Sequence, residues 1–276
     1  MTAELVKPAA PSRWRPSPLI SGSIGLHCAA AAGALAGPQA WPWVLGAVAA
    51  NHFFLGVLGL WPRSTLLGPN LTRLPSAALQ RGEIALTFDD GPDPEVTPRV
   101  LDMLEAHGVR ATFFCIGGKA RTHPELCRDI VRRGHAIENH SRSHSRAFAM
   151  LGMDGMREEI ALAQATLAEI AGRAPRFFRP PAGLRNPLLD PVLHETGLRL
   201  VSWTRRGFDT RRNDADRVAS RLADGLSAGD ILLLHDGHSA RTAAGTPVVL
   251  AVLPRILDAA RHLGLRPVTL HHAIEP

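Results

Sequence analysis

The sequence predicts an α/β domain on a parallel, barrel-like sheet, preceded by two apolar helices long enough to cross a membrane. Two observations predict this architecture. After residue 82, short apolar runs alternate with amphipathic stretches, which is the pattern of strands followed by helices. Before residue 63, the interval from Pro16 to Pro62 contains no Asp, Glu, Lys or Arg.

Composition narrows the class of protein. The 276 residues carry 31 Lys and Arg against 25 Asp and Glu, a formal net charge of +6. The arginines are dispersed and not interleaved with aromatic residues, so we expect no nucleic-acid partner. No protein partner is evident. The excess positive charge is better explained by contact with membrane lipid or with an anionic substrate. Cys28, Cys115 and Cys127 form no CxxC pair and predict no disulfide framework.

The N-terminal quarter reads as a tail and a membrane hairpin. Residues 1–18 are rich in proline and basic, which indicates a disordered basic tail. Residues 19–61 have room for two crossings of about 20 residues each. We place these crossings at Leu19–Ala36 and Trp41–Leu60, with Gly37-Pro38-Gln39 as the turn. Interfacial tryptophans flank the second crossing, at Trp41, Trp43 and Trp61.

A cleaved signal peptide is the competing interpretation, because the Ala-rich sequence before Ala36 resembles a cleavage region. The second apolar segment directly afterwards favours the hairpin. Basic residues flank the pair on both sides, and the turn has none. The positive-inside rule therefore predicts a multi-pass protein of the bacterial inner membrane with both termini and the folded domain in the cytoplasm. If only one segment spans, the domain lies outside instead.

Residues 62–82 read as a linker, and residues 83–276 as the folded domain. Seven strands are predicted, at Ile84–Phe88, Ala111–Cys115, Ala136–Glu138, Phe177–Phe178, Leu198–Trp203, Ile231–His235 and Pro267–Leu270. Helices are predicted between them, at Val96–Ala106, Pro124–Arg133, Met153–Ala171, Pro187–Thr196, Asp214–Ser227 and Val248–Leu263. In parallel barrels the site forms at the carboxyl ends of the strands. The candidate reactive residues follow strand ends: Asp89, Asp90, His140, His144, Arg179, Asp209 and, closing the sixth strand, His235.

The adjacent acids Asp89 and Asp90 end an apolar run and precede a Gly-Pro turn. Two neighbouring carboxylates cannot both be buried and ionised cheaply unless a cation or hydrogen bonds offset them. One acid binding a metal while the other handles a proton would resolve that conflict. The alternative is a solvated Asp-Gly turn.

Four further residues are candidates for chemistry. His140 and His144 are four residues apart, and on a helical turn both rings would reach one ion. Two histidines and one carboxylate leave open positions on a divalent metal. Arg179 lies in a proline-rich loop and could hold a carboxylate by a bidentate contact, or else be a solvated surface residue. His235 at a buried strand end is a candidate proton carrier, or else a structural histidine.

Four motifs stand in the order found in polysaccharide deacetylases with the NodB homology domain, carbohydrate esterase family 4, which residues 82–270 resemble. These motifs are Thr87–Pro92, His140–His144, Arg179–Gly183 and Leu233–His235. The resemblance implies a distorted (β/α)7 barrel that removes the N-acetyl group of an amino sugar with one divalent metal. Zinc is the expected ion, with Co²⁺, Mn²⁺ or Ni²⁺ as alternatives.

The resemblance also implies roles. Asp90, His140 and His144 would bind the metal, and Asp89 would be the general base for the attacking water. His235 would protonate the departing amine, and Arg179 would orient Asp89. Leu233 would line the acetyl pocket, and a backbone N–H in the Ala182 loop would help stabilise the oxyanion.

The sequence departs from the family pattern at two places. The family's fourth motif has an Asp followed by Trp, and the Asp tunes the acid histidine; here Asp209 is followed by Thr210. Ala182 stands where an aromatic residue is common. Both departures indicate a substrate shape other than a chitin or peptidoglycan strand. His238, Arg205 and Arg206 either add to the site or lie on the surface.

These observations lead to one functional hypothesis and two alternatives. The hypothesis is a hydrolase that deacetylates an N-acetylated amino sugar on a polyprenyl or other lipid carrier at the inner membrane. The first alternative is a deacetylase of envelope polysaccharide on the outer side. The second is an inactive sugar-binding membrane protein, which would require a missing catalytic group, although every expected group is present.

Overall fold

The computed structural model describes residues 13–275, and most of the predicted basic tail lies outside that range. Eight strands form within it: β1 (Glu83–Asp89), β2 (Thr112–Cys115), β3 (Ala136–Asn139), β4 (Phe177–Phe178), β5 (Arg199–Leu200), β6 (Arg205–Arg206), β7 (Ile231–His235) and β8 (Arg266–Val268). The helices are α1 (Pro18–Ala36), α2 (Trp41–Gly59), α3 (Ser76–Gln80), α4 (Thr97–Ala106), α5 (Gly117–Thr122), α6 (Pro124–Arg132), α7 (Met153–Ala171), α8 (Leu189–Thr196), α9 (Ala215–Ala223), α10 (Val248–His262) and α11 (Leu270–Ile274). Short 3₁₀ turns occur at Pro38–Ala40, Phe148–Met150 and Pro181–Gly183.

All strand pairs are parallel, in the order β5-β4-β3-β2-β1-β7-β6, and β8 pairs with the start of β1. The outer strands β5 and β6 are joined by residues 201–204 alone. In a flat sheet, six strand spacings would separate them by roughly 29 Å. Five residue steps reach at most about 18 Å. The sheet must therefore curl, which confirms the predicted barrel-like fold.

Strand β1 is the centre of the sheet and is buried at every position. Its side chains alternate between two layers because successive strand residues point to opposite faces. Leu86 and Phe88 pack in the cluster that the helices cover, whereas Ala85 belongs to the barrel interior with Phe114 and Trp203. The same alternation places Thr87 and Asp89 on the interior side, where Arg179 contacts both.

The strand prediction was wrong in three details. Strand β6 was not predicted, because two consecutive arginines carry no strand signal. The predicted strand at Leu198–Trp203 is reduced to Arg199–Leu200, although Val201 forms an isolated bridge with Leu71. The predicted strand Pro267–Leu270 ends at Val268, because the Thr269 side chain accepts the backbone N–H of His272 and starts α11.

Helices α1 and α2 correspond closely to the two predicted crossings. Each has 19 residues and a mean hydropathy of 1.5 or 1.4, which suffices to cross a membrane by length and composition alone. The two helices contact each other through Asn51, whose Nδ2 donates to Ser23 Oγ at 2.9 Å. Only 11% and 17% of their apolar windows are buried, unlike the core helices of a soluble domain. Membrane insertion stays a prediction.

The base of the hairpin is attached to the barrel. Ile20, Leu55 and Leu58 form one apolar cluster with Leu67, which lies in the stretch between the hairpin and β1. The backbone N–H of Arg185 donates to the Gly59 carbonyl at 3.2 Å. These contacts hold the end of α2 beside the loop that follows β4.

Candidate metal centre and active site

Three potential metal ligands converge at the carboxyl ends of β1 and β3. Nε2 of His140 lies 3.2 Å from Asp90 Oδ1, and Nε2 of His144 lies 3.0 Å from the same oxygen. The three ligand atoms lie within 4.8 Å of one another. The structure therefore brings together the three residues that the sequence proposed as metal ligands.

The segment from His140 to His144 is an irregular loop, so the predicted helical turn is wrong. Ser141 and His144 both have left-handed backbones, with φ of 63° and 52°. Side chains stabilise that path: Ser141 N–H donates to Asn139 Oδ1 at 2.9 Å, and His144 N–H donates to Ser141 Oγ at 3.1 Å. The two rings share one side because the loop folds back on itself, not because of helical periodicity.

Hydrogen bonds orient the His140 ring and lower the pKa of Asp90, and both effects favour cation binding. Nδ1 of the buried His140 donates to the Arg179 carbonyl at 2.7 Å, which orients the ring so that Nε2 faces Asp90. Burial alone would raise the pKa of Asp90, but hydrogen bonds from His140, His144 and His238 hold that pKa well below its usual range. Two imidazoles and one ionised carboxylate fit a divalent ion such as zinc.

Asp89 is held apart from this cluster by Arg179. The fully buried Arg179 places Nη1 2.6 Å from Asp89 Oδ1 and 2.9 Å from Thr87 Oγ1. Its Nη2 donates to the Ser202 carbonyl instead, so the expected bidentate contact with a carboxylate is wrong. The second oxygen of Asp89 stays free of Arg179 and lies 3.8 Å from His140 Nε2.

His235 and Asp209 form a second buried pair. Nδ1 of His235 lies 2.8 Å from Asp209 Oδ1. Burial alone would lower the pKa of His235, but the Asp209 carboxylate outweighs burial and raises the pKa to about 9. Asp209 lies three residues after the end of β6, the strand that the sequence did not predict.

One cavity of about 800 Å³ joins these groups. Its lining includes the two acids, the three histidines, Ala182 and Leu233. His238 also lines it, with Nδ1 3.3 Å from Asp90 Oδ2. Arg206 faces the cavity, whereas Arg205 points away and pairs with Asp230 at 2.6 Å. The alternation of side chains along β6 separates these two arginines.

Several lining residues were not found from the sequence. They are Lys119, Arg142, Arg146, Trp203 and Arg211. Lys119 Nζ donates to the Asp90 carbonyl at 2.8 Å. Lys119 lies on α5, Arg142 and Arg146 lie in the loop after β3, and Trp203 and Arg211 flank β6. These residues are scattered along the chain, so their spacing did not mark them as cavity residues. Four of the five are basic, and that is the one signal that the composition offered.

A second cavity of about 710 Å³ is mostly apolar. It lies between the hairpin and the loops after β3 and β4, and its lining includes Phe53, Leu60, Met150 and Leu188. The same two loops line both cavities: residue 146 and residue 183 belong to the first, and residues 149–150 and 185–188 belong to the second. The base of the hairpin thus lies against the same loops that line the active-site cavity.

Comparisons with known proteins agree with this geometry. The family model described as polysaccharide deacetylase matches residues 77–201. A peptidoglycan-N-acetylglucosamine deacetylase of Bacillus cereus is 34% identical over 197 residues, which cover 71% of this chain and 69% of the relative. A chitooligosaccharide deacetylase of Azorhizobium caulinodans is 36% identical over 197 residues, which cover 68% of this chain and 93% of the relative.

Solved structures show the same relationship. The family 4 carbohydrate esterase from Streptomyces lividans, solved in complex with acetate, is 34% identical to this chain. The two structures superpose with a TM-score of 0.61, over 67% of this chain and 91% of the esterase. The similarity therefore extends from the motifs to the whole barrel.

Proposed function

The chain belongs to the polysaccharide deacetylase family, enzymes that hydrolyse the N-acetyl amide bond of amino sugars, and we propose that it deacetylates a lipid-linked amino sugar at the membrane. The observation that carries the catalytic part is the placement of two buried ion pairs beside one cluster of metal ligands. Asp89–Arg179 and His235–Asp209 both reach the cavity that Asp90, His140 and His144 line.

The metal would be held by Asp90, His140 and His144. A divalent ion held there would act as a Lewis acid towards water and the amide carbonyl. The hydrogen bond from His140 Nδ1 to the Arg179 carbonyl keeps the His140 ring in the orientation that this role requires. Lys119 helps to fix the backbone of the same site, because its ammonium donates a hydrogen bond to the Asp90 carbonyl.

Asp89 is the proposed base for the attacking water. One of its oxygens accepts a hydrogen bond from Arg179, and the other is available to accept a proton from water. Arg179 is itself fixed by the carbonyls of Val201 and Ser202, so it is a positioning residue for Asp89.

His235 is the proposed acid. An amide nitrogen is a poor leaving group unless it is protonated as the carbon–nitrogen bond breaks. Because Asp209 occupies Nδ1 and raises the pKa of His235 to about 9, the ring carries a proton on Nε2 at neutral pH. Water adds to the carbonyl carbon, its proton passes to Asp89, and His235 gives a proton to the nitrogen, which yields acetate and an amine.

The lipid-linked substrate is supported by the second cavity. A hydrocarbon chain needs an apolar path to the membrane, and the cavity lined by Phe53 and Met150 offers one between the hairpin and loops that also line the active-site cavity. Met150 is 85% exposed and Phe53 is 75% exposed, which is unfavourable in water unless lipid or a lipid chain covers them. Ala182 also contributes no aromatic side chain to the sugar groove, where relatives commonly have one, although Trp203 lines another part of the cavity.

We propose the cytoplasmic face of a bacterial inner membrane as the location, from the hairpin and its flanking basic residues. The second candidate is deacetylation of envelope polysaccharide on the outer side, which the polymer substrates named for the relatives favour. A reporter fused after Pro276 separates the two by the compartment in which it is active.

The decisive assay uses the purified full-length chain in detergent. We expect acetate release from a polyprenyl-linked N-acetylhexosamine, and little from chitin or peptidoglycan. Release from polymer but not from the lipid-linked sugar would replace the proposal by its second candidate. No release from any sugar, with metal bound, would favour an inactive sugar-binding protein.

A further inference from the structure

Arg206 is a cation in the active-site cavity that the proposed chemistry does not use. Its guanidinium forms no hydrogen bond or ion pair with any side chain that the structure describes, and its Nε is buried without a partner. The group lies over the rings of Trp203 and Phe208, with centroids 5.2 and 4.9 Å away. Such an arginine costs free energy to bury and is retained where an anion binds it.

The position of Arg206 is fixed by the sheet. Arg206 pairs in register with Leu233, which lines the same cavity two residues before His235. Side chains on a paired strand move less than side chains on a loop. The guanidinium is therefore held beside the reacting groups, as a binding contact requires.

The cavity as a whole is positive. Five basic side chains line it, namely Lys119, Arg142, Arg146, Arg206 and Arg211, against the two acids Asp89 and Asp90. Both acids are already engaged, Asp89 by Arg179 and Asp90 by the histidines. Arg206, Arg211 and Arg146 have no acidic partner among the described residues. A low-dielectric cleft with this charge attracts an anionic ligand.

The chemistry of amino sugars says where that anion lies. In a 2-acetamido sugar, the ring carbon that bears the acetamide group is bonded to the anomeric carbon. A phosphate on the anomeric oxygen therefore lies beside the amide. A polymer carries a neutral glycosidic oxygen there instead. Arginine binds phosphate through two parallel N–H groups, which suits a guanidinium already oriented by two aromatic rings.

We propose that Arg206, with Arg211 at the cavity mouth, forms a subsite for a phosphate ester on the anomeric carbon of the sugar that is deacetylated. This inference rests on the proposed function, because it assumes an amino sugar in the cavity. The phosphate can belong to a lipid carrier or to a soluble sugar 1-phosphate.

The test compares three substrates with the full-length, metal-loaded enzyme in detergent. They are methyl N-acetylglucosaminide, N-acetylglucosamine 1-phosphate and polyprenyl-phosphate-linked N-acetylglucosamine. We expect wild-type kcat/KM to favour the phosphorylated sugars over the methyl glycoside by roughly 10- to 100-fold, the range for charged hydrogen bonds. Equal rates for the two phosphorylated sugars identify the phosphate alone as the recognised group, whereas a faster lipid-linked sugar shows that the chain adds to it.

Variants locate the effect. Arg206→Gln should reduce the preference to about threefold or less, and Arg206→Lys should restore part of it because the charge returns without the planar fork. Arg211→Gln changes an exposed side chain and should lower the preference without a risk to folding. Arg128→Gln, an exposed arginine on α6 outside the cavity, is the matched control and should leave the preference unchanged.

Two results would overturn the subsite: a wild-type enzyme that processes the neutral and phosphorylated sugars equally, or a preference that survives both Arg206→Gln and Arg211→Gln. Absence of acetate release from all three sugars would contradict the proposed function instead. In that case calorimetric binding of the 1-phosphate and the methyl glycoside to the same variants decides the question of the subsite.

Discussion

Nδ1 of His235 lies 2.8 Å from one oxygen of Asp209, and the backbone N–H of His235 donates to the other oxygen at 2.8 Å. Both carboxylate oxygens are therefore committed to one residue, which fixes the ring and its proton. Asp209 is fully buried, so the interaction is weakly screened by solvent. A general acid with a raised pKa follows from this pair.

The pH dependence tests that relationship. His235 must be protonated to act as an acid, and its pKa is raised to about 9, so kcat/KM should fall as the pH rises through about 9. Asp209→Asn removes the largest of the interactions that raise the pKa of His235, while burial still lowers that pKa and Asp89 and Asp90 still raise it. The basic limb of the pH–rate profile should therefore move down by about 1–3 pH units, the usual effect of one neighbouring charge. An unmoved limb would show that His235 is not the acid.

Removing one partner of the buried pair of Asp89 and Arg179 should destabilise the fold strongly, because it leaves the other charge buried without a partner. Arg179→Met leaves the Asp89 carboxylate buried without its cation, and breaking such a pair costs about 3–5 kcal/mol. The double variant Arg179→Met with Asp89→Asn should lose less than Arg179→Met alone, because no charge is left unpaired. Denaturant unfolding measures both. Arg241→Met, which breaks the exposed pair with Glu95, is the control and should change stability little.

Substitution of a metal ligand should weaken zinc binding more than substitution of the neighbouring His238. Asp90, His140 and His144 supply the clustered atoms, whereas His238 contacts only the second oxygen of Asp90 and is 59% exposed. His140→Ala or His144→Ala should weaken zinc binding by well over 100-fold, and His238→Ala by about tenfold. Competition with a chromophoric chelator measures these affinities. Equal losses in all three variants would make His238 a ligand.

Gly237 should be essential to the metal site although it has no side chain to offer as a ligand. A Cβ at Gly237 would lie 2.1 Å from the Asp90 carbonyl oxygen, which is backbone and cannot rotate away. Asp90 has a left-handed φ of 71°, so a small displacement turns its carboxylate away from the histidines. Gly237→Ala should reduce bound zinc, as metal analysis would show. Gly152→Ala, with no atom within 4 Å of its new Cβ, should bind zinc normally.

The sequence predicted the barrel because its signals are local. Strands β1 and β7 are continuous apolar runs, and each ends in a polar residue at the rim, Asp89 or His235. The residues proposed for the metal converge for the same reason, since strand ends of a parallel sheet meet at one edge.

The remaining features depend on contacts between distant parts of the chain. The loop from His140 to His144 folds through left-handed residues that Asn139 and Ser141 stabilise, whereas the spacing of the histidines alone indicated a helix. Strand β6 forms because β7 offers a free edge, and its formation alone decides that Arg206 faces the cavity and Arg205 does not. Neither the path of this loop nor the formation of β6 can be predicted from the neighbouring residues in the sequence.

The central claim is that Asp89 acts as the base for deacetylation of a lipid-linked amino sugar. Mass spectrometry of lipid-linked sugars from cells with the wild-type chain or Asp89→Asn tests it most directly. We predict a free amine on the lipid-linked sugar in wild-type cells and its N-acetylated precursor in Asp89→Asn cells, while the purified variant keeps its metal because Asp89 is not a ligand. Identical lipid-linked sugars in the two strains would contradict the account.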